Sequence, residues 1–116
     1  MRTVIAGSRT ATQADVDEAL ELCPWADQVT VVISGSAQGA DRAGERWAEK
    51  HDIPVESHPA DWDLHGRSAG YVRNQEMINV ADAVVAVWDG ESRGTAHTIG
   101  LAEKADLYLH VHHFKE

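Results

Sequence analysis

Four segments of the chain carry the residue types that hold anions. Gly7-Ser8-Arg9-Thr10 comes directly after a short apolar run, and Ser34-Gly35-Ser36-Ala37-Gln38-Gly39-Ala40-Asp41 follows a second one. A third segment holds Asp61, Trp62, His65 and Arg67, with Arg73-Asn74 shortly after it. The fourth is Asp89-Gly90-Glu91-Ser92-Arg93-Gly94-Thr95. Glycine lets backbone N–H groups turn inward and approach an anion, and a helix that follows adds its unpaired N–H groups and its dipole. Arginine adds a planar fork that suits phosphate and carboxylate. None of the four is a Walker loop, because no Gly-Lys-Ser/Thr follows. One Gly-x-x-x-Gly segment is as often a plain turn as a phosphate cradle. Four such loops, three of them joining Arg with Gly and Ser, together predict an anion site.

Individual side chains have a functional and a structural reading. Asp41 can hold a ribose hydroxyl or cap its helix, and both can be true at once. Trp62 can stack on a base or pack the long loop around it. His97 lies in the first turn after Ser-Arg-Gly-Thr, where it could reach a phosphate or act as an acid. His97 is a candidate for catalysis on this ground. Trp25, Trp47 and Trp88 are expected in the core or an interface. His110, His112 and His113 invite a zinc reading, but carboxylate or cysteine ligands at useful spacing are lacking. A terminal edge strand or a subunit contact is the better expectation, and no metal or cofactor is predicted.

The elements that must position these loops alternate regularly. Strands are predicted at Thr3–Ala6, Val29–Ser34, Pro54–Ser57, Ala83–Trp88 and Leu107–His112. Helices are predicted at about Gln13–Cys23, Asp41–His51, Ala69–Val80 and Thr95–Ala105. In the first helix Val16, Ala19, Leu20 and Cys23 recur at i, i+3, i+4, i+7. Thr12 and Asp15 form a capping-box pattern, and Pro24 ends the helix. Pro59–Ser68 reads as a long loop. Apolar strands alternating with helices predict a parallel sheet covered on both faces. The expected fold is an α/β, Rossmann-like three-layer sandwich with a mainly parallel five-stranded sheet, its loops gathered at the carboxyl edge.

With 116 residues, 43% of them hydrophobic, the chain fits one domain over residues 1–116 with a real core. The single cysteine, Cys23, is expected as a buried apolar residue. The lack of a disulfide framework, a signal peptide or a ~20-residue apolar span predicts a cytoplasmic protein without a membrane partner. A formal charge of −9 argues against nucleic acid as a partner but leaves room for a compact anion site. Four tryptophans in so short a chain suggest a homo-oligomer.

In order along the chain stand Gly7-Ser8-Arg9, Ser34 to Asp41, Pro59-Ala60-Asp61-Trp62, Ala69-Gly70, Arg73-Asn74 with Met77, and Trp88-Asp89-Gly90 with Ser92-Arg93-Gly94-Thr95. This series resembles the YspA-like, cpYpsA-related branch of the SLOG superfamily, from Val4 to about Val111. That superfamily also includes DprA (Smf) and the LOG phosphoribohydrolases. The resemblance implies a Rossmann-like fold and a nucleotide or nucleotide-derived ligand, in proteins often found in phage and mobile-element genomes. It implies ligand contacts at Gly7, Ser8, Arg9, Gly35, Ser36, Gly39, Asp41, Trp62, Arg73, Asn74, Asp89, Gly90, Ser92, Arg93, Gly94 and Thr95. Arg73 and Met77 match the LOG enzymes, but Thr98 stands where those enzymes carry a catalytic Glu. Asp89, Glu91 or Asp41 would then have to supply a carboxylate from another loop. Through this resemblance Arg73 and Asp89 become candidates for catalysis beside His97. The first expectation is a module that senses or sequesters a nucleotide. Hydrolysis or transfer at the N-glycosidic bond of nucleoside phosphates is the alternative, and single-stranded DNA binding a weaker one.

Overall fold

The computed structural model describes residues 1–114. Five strands form one sheet in which every neighbouring pair is parallel. They are β1 (Arg2–Gly7), β2 (Val31–Ser34), β3 (Val55–Ser57), β4 (Ala83–Trp88) and β5 (Tyr108–His113), in spatial order β3-β2-β1-β4-β5. The helices are α1 (Gln13–Leu22), α2 (Ala40–Lys50), α3 (Trp62–His65), α4 (Ala69–Asn79) and α5 (Arg93–Lys104).

Strand alternation explains why both faces are covered. On β4, Ala83, Val85 and Val87 point into one apolar layer while Val84 and Ala86 point into the other. On β1, Ile5 joins the first layer and Val4 and Ala6 the second. The first layer is closed by Val16, Ala19 and Leu20 of α1 and Ala43, Trp47 and Ala48 of α2. The second is closed by Met77 and Ile78 of α4 and Ala102 of α5. Each fully buried Val or Ile contributes about 1.5–3 kcal/mol relative to exposure, so the two layers hold the sheet from both sides. At the start of α1, the Thr12 hydroxyl accepts from the Asp15 N–H, and the Asp15 carboxylate accepts from the Thr12 N–H.

The structure moves several boundaries. A 3-10 turn at Ala26–Gln28 takes up the approach to β2, which therefore begins at Val31 rather than Val29. The segment expected to be a plain loop folds into α3 and a 3-10 turn at Gly66–Ser68. Helix α5 starts two residues early, at Arg93, because Ser92 is its N-cap and accepts from the Thr95 N–H at 3.4 Å. The sheet is wholly parallel. The histidine-rich strand β5 is a terminal edge, with His112 turned toward Glu18 and the His113 ring 5.2 Å from that of Trp88. Trp25 and Trp47 are buried, so the tryptophan count no longer supports an oligomer interface. Among the described residues, no helix is long and apolar enough to cross a membrane.

The chain builds the sheet outward from β1 to β3, then crosses back to place β4 on the other side of β1. That reversal parts the loops leaving β1 and β4, and in parallel α/β sheets ligands bind in the crevice so formed.

Candidate functional site

A cleft of about 240 Å³ opens at this reversal. Ala6, Gly7 and Arg9 line it from β1 and the loop after it, Ala37, Gln38 and Asp41 from the loop before α2 and its first turn, and Gly70, Arg73, Asn74 and Met77 from α4. Ser92, Gly94, Thr95 and Thr98 of α5 close the remaining side, and Trp62 stands at its mouth. An outer lobe of about 390 Å³ shares Arg9, Ala37, Gln38, Trp62 and Arg73 with it and adds Gly35, Ser36, Pro59 and Ala60.

Arg73 is the best-held cation of the cleft. Its Nη1 donates to the Gly35 carbonyl at 2.8 Å and its Nε to Asn74 Oδ1 at 2.9 Å. Among the described residues no carboxylate lies within ion-pair distance of it. Gly35 makes this reach possible, since a Cβ there would overlap the guanidinium and come 2.8 Å from Asp41 Oδ2. Arg9 is exposed at the rim.

Asp41 is only 7% exposed and accepts the Ala37 N–H at 3.1 Å. Burial pushes its carboxyl up to about 6. The Ala37 N–H and the Arg73 charge pull the other way, Glu45 adds to the rise and Arg42 opposes it. Asp41 is the one carboxyl among the described lining residues of the inner cleft. Thr98 cannot replace a second one: its hydroxyl donates to the Gly94 carbonyl at 3.2 Å. Trp62 keeps 57% of its surface exposed, leaving a ring face available for stacking.

Other residues expected at the ligand are placed behind the cleft, as its frame. Ser8 is buried and ties three loops together. Its N–H donates to the Val87 carbonyl at 3.0 Å, its own carbonyl accepts from Ala11 and Ala40, and its hydroxyl accepts the Asp89 N–H at 3.1 Å. Gly39 has φ +79° and passes against the backbone of Ser8 and Arg9. Asp89 accepts the N–H groups of Glu91 and Ser92, both at 2.8 Å, and these two bonds hold its carboxyl below the usual range. Gly90 takes φ +86° in that same turn. Ser36 faces the outer lobe, bonded to Glu45 and Ser57.

Arg93 was expected among the ligand contacts, yet as the first residue of α5 it is exposed and lines neither lobe. His97 also lies outside both linings, behind Asn74, and burial lowers its pKa below the ordinary histidine value. Gln38, Gly70, Met77 and Thr98 line the cleft although they were not expected as contacts. Gly70 and Gly94 carried a readable signal, being glycines in the first turn of a helix, where their cost calls for a reason.

Residues 1–65 match the YAcAr family, described as the YspA, cpYpsA-related SLOG family. The Gene 61 protein of Mycobacterium phage D29 is 39% identical, over 91% of each chain. DNA processing protein A from Helicobacter pylori, whose structure is described for its single-stranded DNA binding mode, superposes with a TM-score of 0.63 at 19% identity. The superposition covers 95% of this chain but 64% of that one, so the chain spans just under two thirds of that protein's length. At this identity the likeness carries the fold alone. It nevertheless overturns the expectation set against nucleic acid, because this fold serves a protein that binds single-stranded DNA. Net charge failed as a criterion because it sums every face. The inner cleft itself sets Arg9 and Arg73 against Asp41 alone.

Proposed function

The chain belongs to the YspA, cpYpsA-related SLOG family, and from that premise we propose that its cleft binds a phosphate-bearing nucleotide. Arg73 and Arg9 take the phosphate, Asp41 takes a ribose hydroxyl, and Trp62 stacks on the base. The observation that carries this reading is Arg73: a guanidinium braced by Gly35 and Asn74, turned to the cleft and free of any carboxylate within ion-pair distance among the described residues.

Ligand binding to the native state alone raises stability by about 2.7 kcal/mol at a hundredfold excess over Kd. AMP or ADP-ribose is therefore expected to raise the Tm. A charge-assisted hydrogen bond contributes about 1.5–3 kcal/mol, so Arg73→Ala is expected to weaken binding about ten- to hundredfold. Arg93→Ala is expected to leave it unchanged. Titration calorimetry on the three proteins checks this. No Tm shift with any nucleotide at millimolar concentration, or equal affinity in Arg73→Ala, defeats the reading.

A second reading, single-stranded nucleic acid, is favoured by the open outer lobe and the exposed Trp62 at the junction. A short oligothymidylate in the same titration separates the two, because a strand reading requires it to outbind the mononucleotide. Turnover at the N-glycosidic bond is the enzymatic alternative. Chromatography of AMP incubated with the protein would reveal free base.

Gly94 provides a steric probe. Beyond its chain neighbours and its own helix backbone, a Cβ there would meet nothing within 4 Å, so tertiary packing does not require glycine. Alanine is expected to raise the unliganded stability by up to about 1 kcal/mol. Because Gly94 lines the cleft, the same change is expected to lower nucleotide affinity. Chemical unfolding and calorimetry on Gly94→Ala test the pair, and a variant that gains stability without losing affinity places the ligand elsewhere.

A further inference from the structure

The bond that braces Arg73 belongs to a chain of contacts that ends at a histidine outside the cleft. Asn74 is 5% exposed and meets three groups. Its Oδ1 accepts from Arg73 Nε at 2.9 Å, while its Nδ2 faces the Gly94 carbonyl at 3.4 Å and His97 Nδ1 at 3.2 Å. Two of these neighbours have fixed roles. A guanidinium only donates, and a carbonyl only accepts. Turning the amide over would set Nδ2 against a donor and Oδ1 against an acceptor, so its orientation is determined. His97 Nδ1 must then be the acceptor, which makes the ring neutral with its proton on Nε2.

We propose that Asn74 and His97 are positioning residues for Arg73: the neutral imidazole locks the amide that braces the guanidinium across the cleft, and a proton on Nδ1 of His97 unlocks it. An Nδ1–H would point at the Asn74 NH₂. Where the amide turns or withdraws to relieve that donor–donor clash, either motion breaks its bond to Arg73. Acid thus loosens the cleft's main cation although His97 touches no ligand.

The surroundings leave His97 as the group that titrates there. Helix α5 packs on α4, β1, β4 and β5. From α4 it faces the edge of Tyr71, with ring centroids 4.5 Å apart, and Arg73 through Asn74. On its own helix Arg93 stands one turn earlier. The strands beneath present Val4, Ala6, Val84 and Ala86. On β5, Leu109 and Val111 face this layer, while His110 and His112 turn toward Trp25 and Glu18 of the other. Among the described residues no carboxylate lies within ion-pair distance of His97. Asp41 acts on Arg73 across the cleft, and its titration could imitate the effect.

The inference deepens the site proposed above, but its test needs no ligand, so either can fail alone. Nitrogen-15 NMR of the free protein reads the His97 tautomer and the Arg73 Nε–H between pH 7.5 and 5. The expected results are the Nε2–H tautomer at pH 7.5, a midpoint below 6.5, and an Arg73 Nε–H signal that shifts and loses exchange protection with that same midpoint. In His97→Phe, which keeps a ring against Tyr71 and cannot take a proton, the Arg73 signal is expected to stay constant over this range. An Nδ1–H tautomer at pH 7.5, or an Arg73 signal that does not follow His97, overturns the proposal. So does an equal response in His97→Phe, which would assign the effect to Asp41.

Discussion

Replacing Gly39 by alanine is expected to cost the folded state about 4 kcal/mol or more, among the largest effects a single methyl group can have. The residue adopts φ +79° with ψ −124°, a region that residues with a Cβ avoid. Space is also missing, since the new Cβ would lie 2.5 Å from the Ser8 carbonyl oxygen and nearer still to that of Arg9. Neither obstacle is a flexible side chain that could swing away. Both are backbone of the loop after β1, itself held by the bond from Ser8 N–H to Val87. Urea unfolding of Gly39→Ala checks the expectation. A midpoint within about 1 kcal/mol of wild type would mean that the two loops are not packed as described.

Asp41→Asn is expected to act in the opposite direction, and only in one pH range. Burial pushes the native carboxyl up to about 6, from an ordinary aspartate value of 3.8. The native state therefore holds the proton more tightly than the unfolded chain does. The stability this group contributes is full below about pH 4 and is lost as pH rises through 6. At about 1.4 kcal/mol per unit, the loss is on the order of 3 kcal/mol. Asparagine keeps an oxygen for the Ala37 N–H and carries no charge. The variant is thus expected to gain on wild type by on the order of 2–3 kcal/mol between pH 4 and pH 7.5. Paired urea curves at the two pH values measure this directly, and a constant difference would show that the carboxylate is not buried against a penalty. The same buried charge is what a ribose hydroxyl would find in the proposed complex, so stability lost here accompanies a binding group.

The sheet was largely legible because its signal is local. Ala83–Trp88 is an unbroken apolar run, and β4 occupies those same six residues. Thr12 and Asp15 announced the start of α1 through a pairing three residues long. The cleft was legible as a set of loops, but the split between lining and frame was not. Ser8 and Arg9 are adjacent and both look suited to a phosphate, yet one is buried among backbone groups from three loops and the other is exposed at the rim. That difference depends on Val87 and Ala40, far away in sequence. Arg93 was expected in a loop, but helix α5 begins at it, and it is exposed outside both linings. The link from Asn74 to His97 spans 23 residues and two helices, and no spacing rule relates them.

The bonding of Ser8 bears on how relatives of this chain can diverge. One residue joins the loops that follow β1, β2 and β4, so a length change in any of them disturbs the other two. The stretch from Pro59 to Ser68 receives none of those bonds, yet it brings Trp62 to the cleft mouth. Insertions and deletions can accumulate there while the loops after β1, β2 and β4 stay fixed. New ligand preferences in such relatives should therefore arise by rewriting this one segment, with the loops tied through Ser8 inherited unchanged.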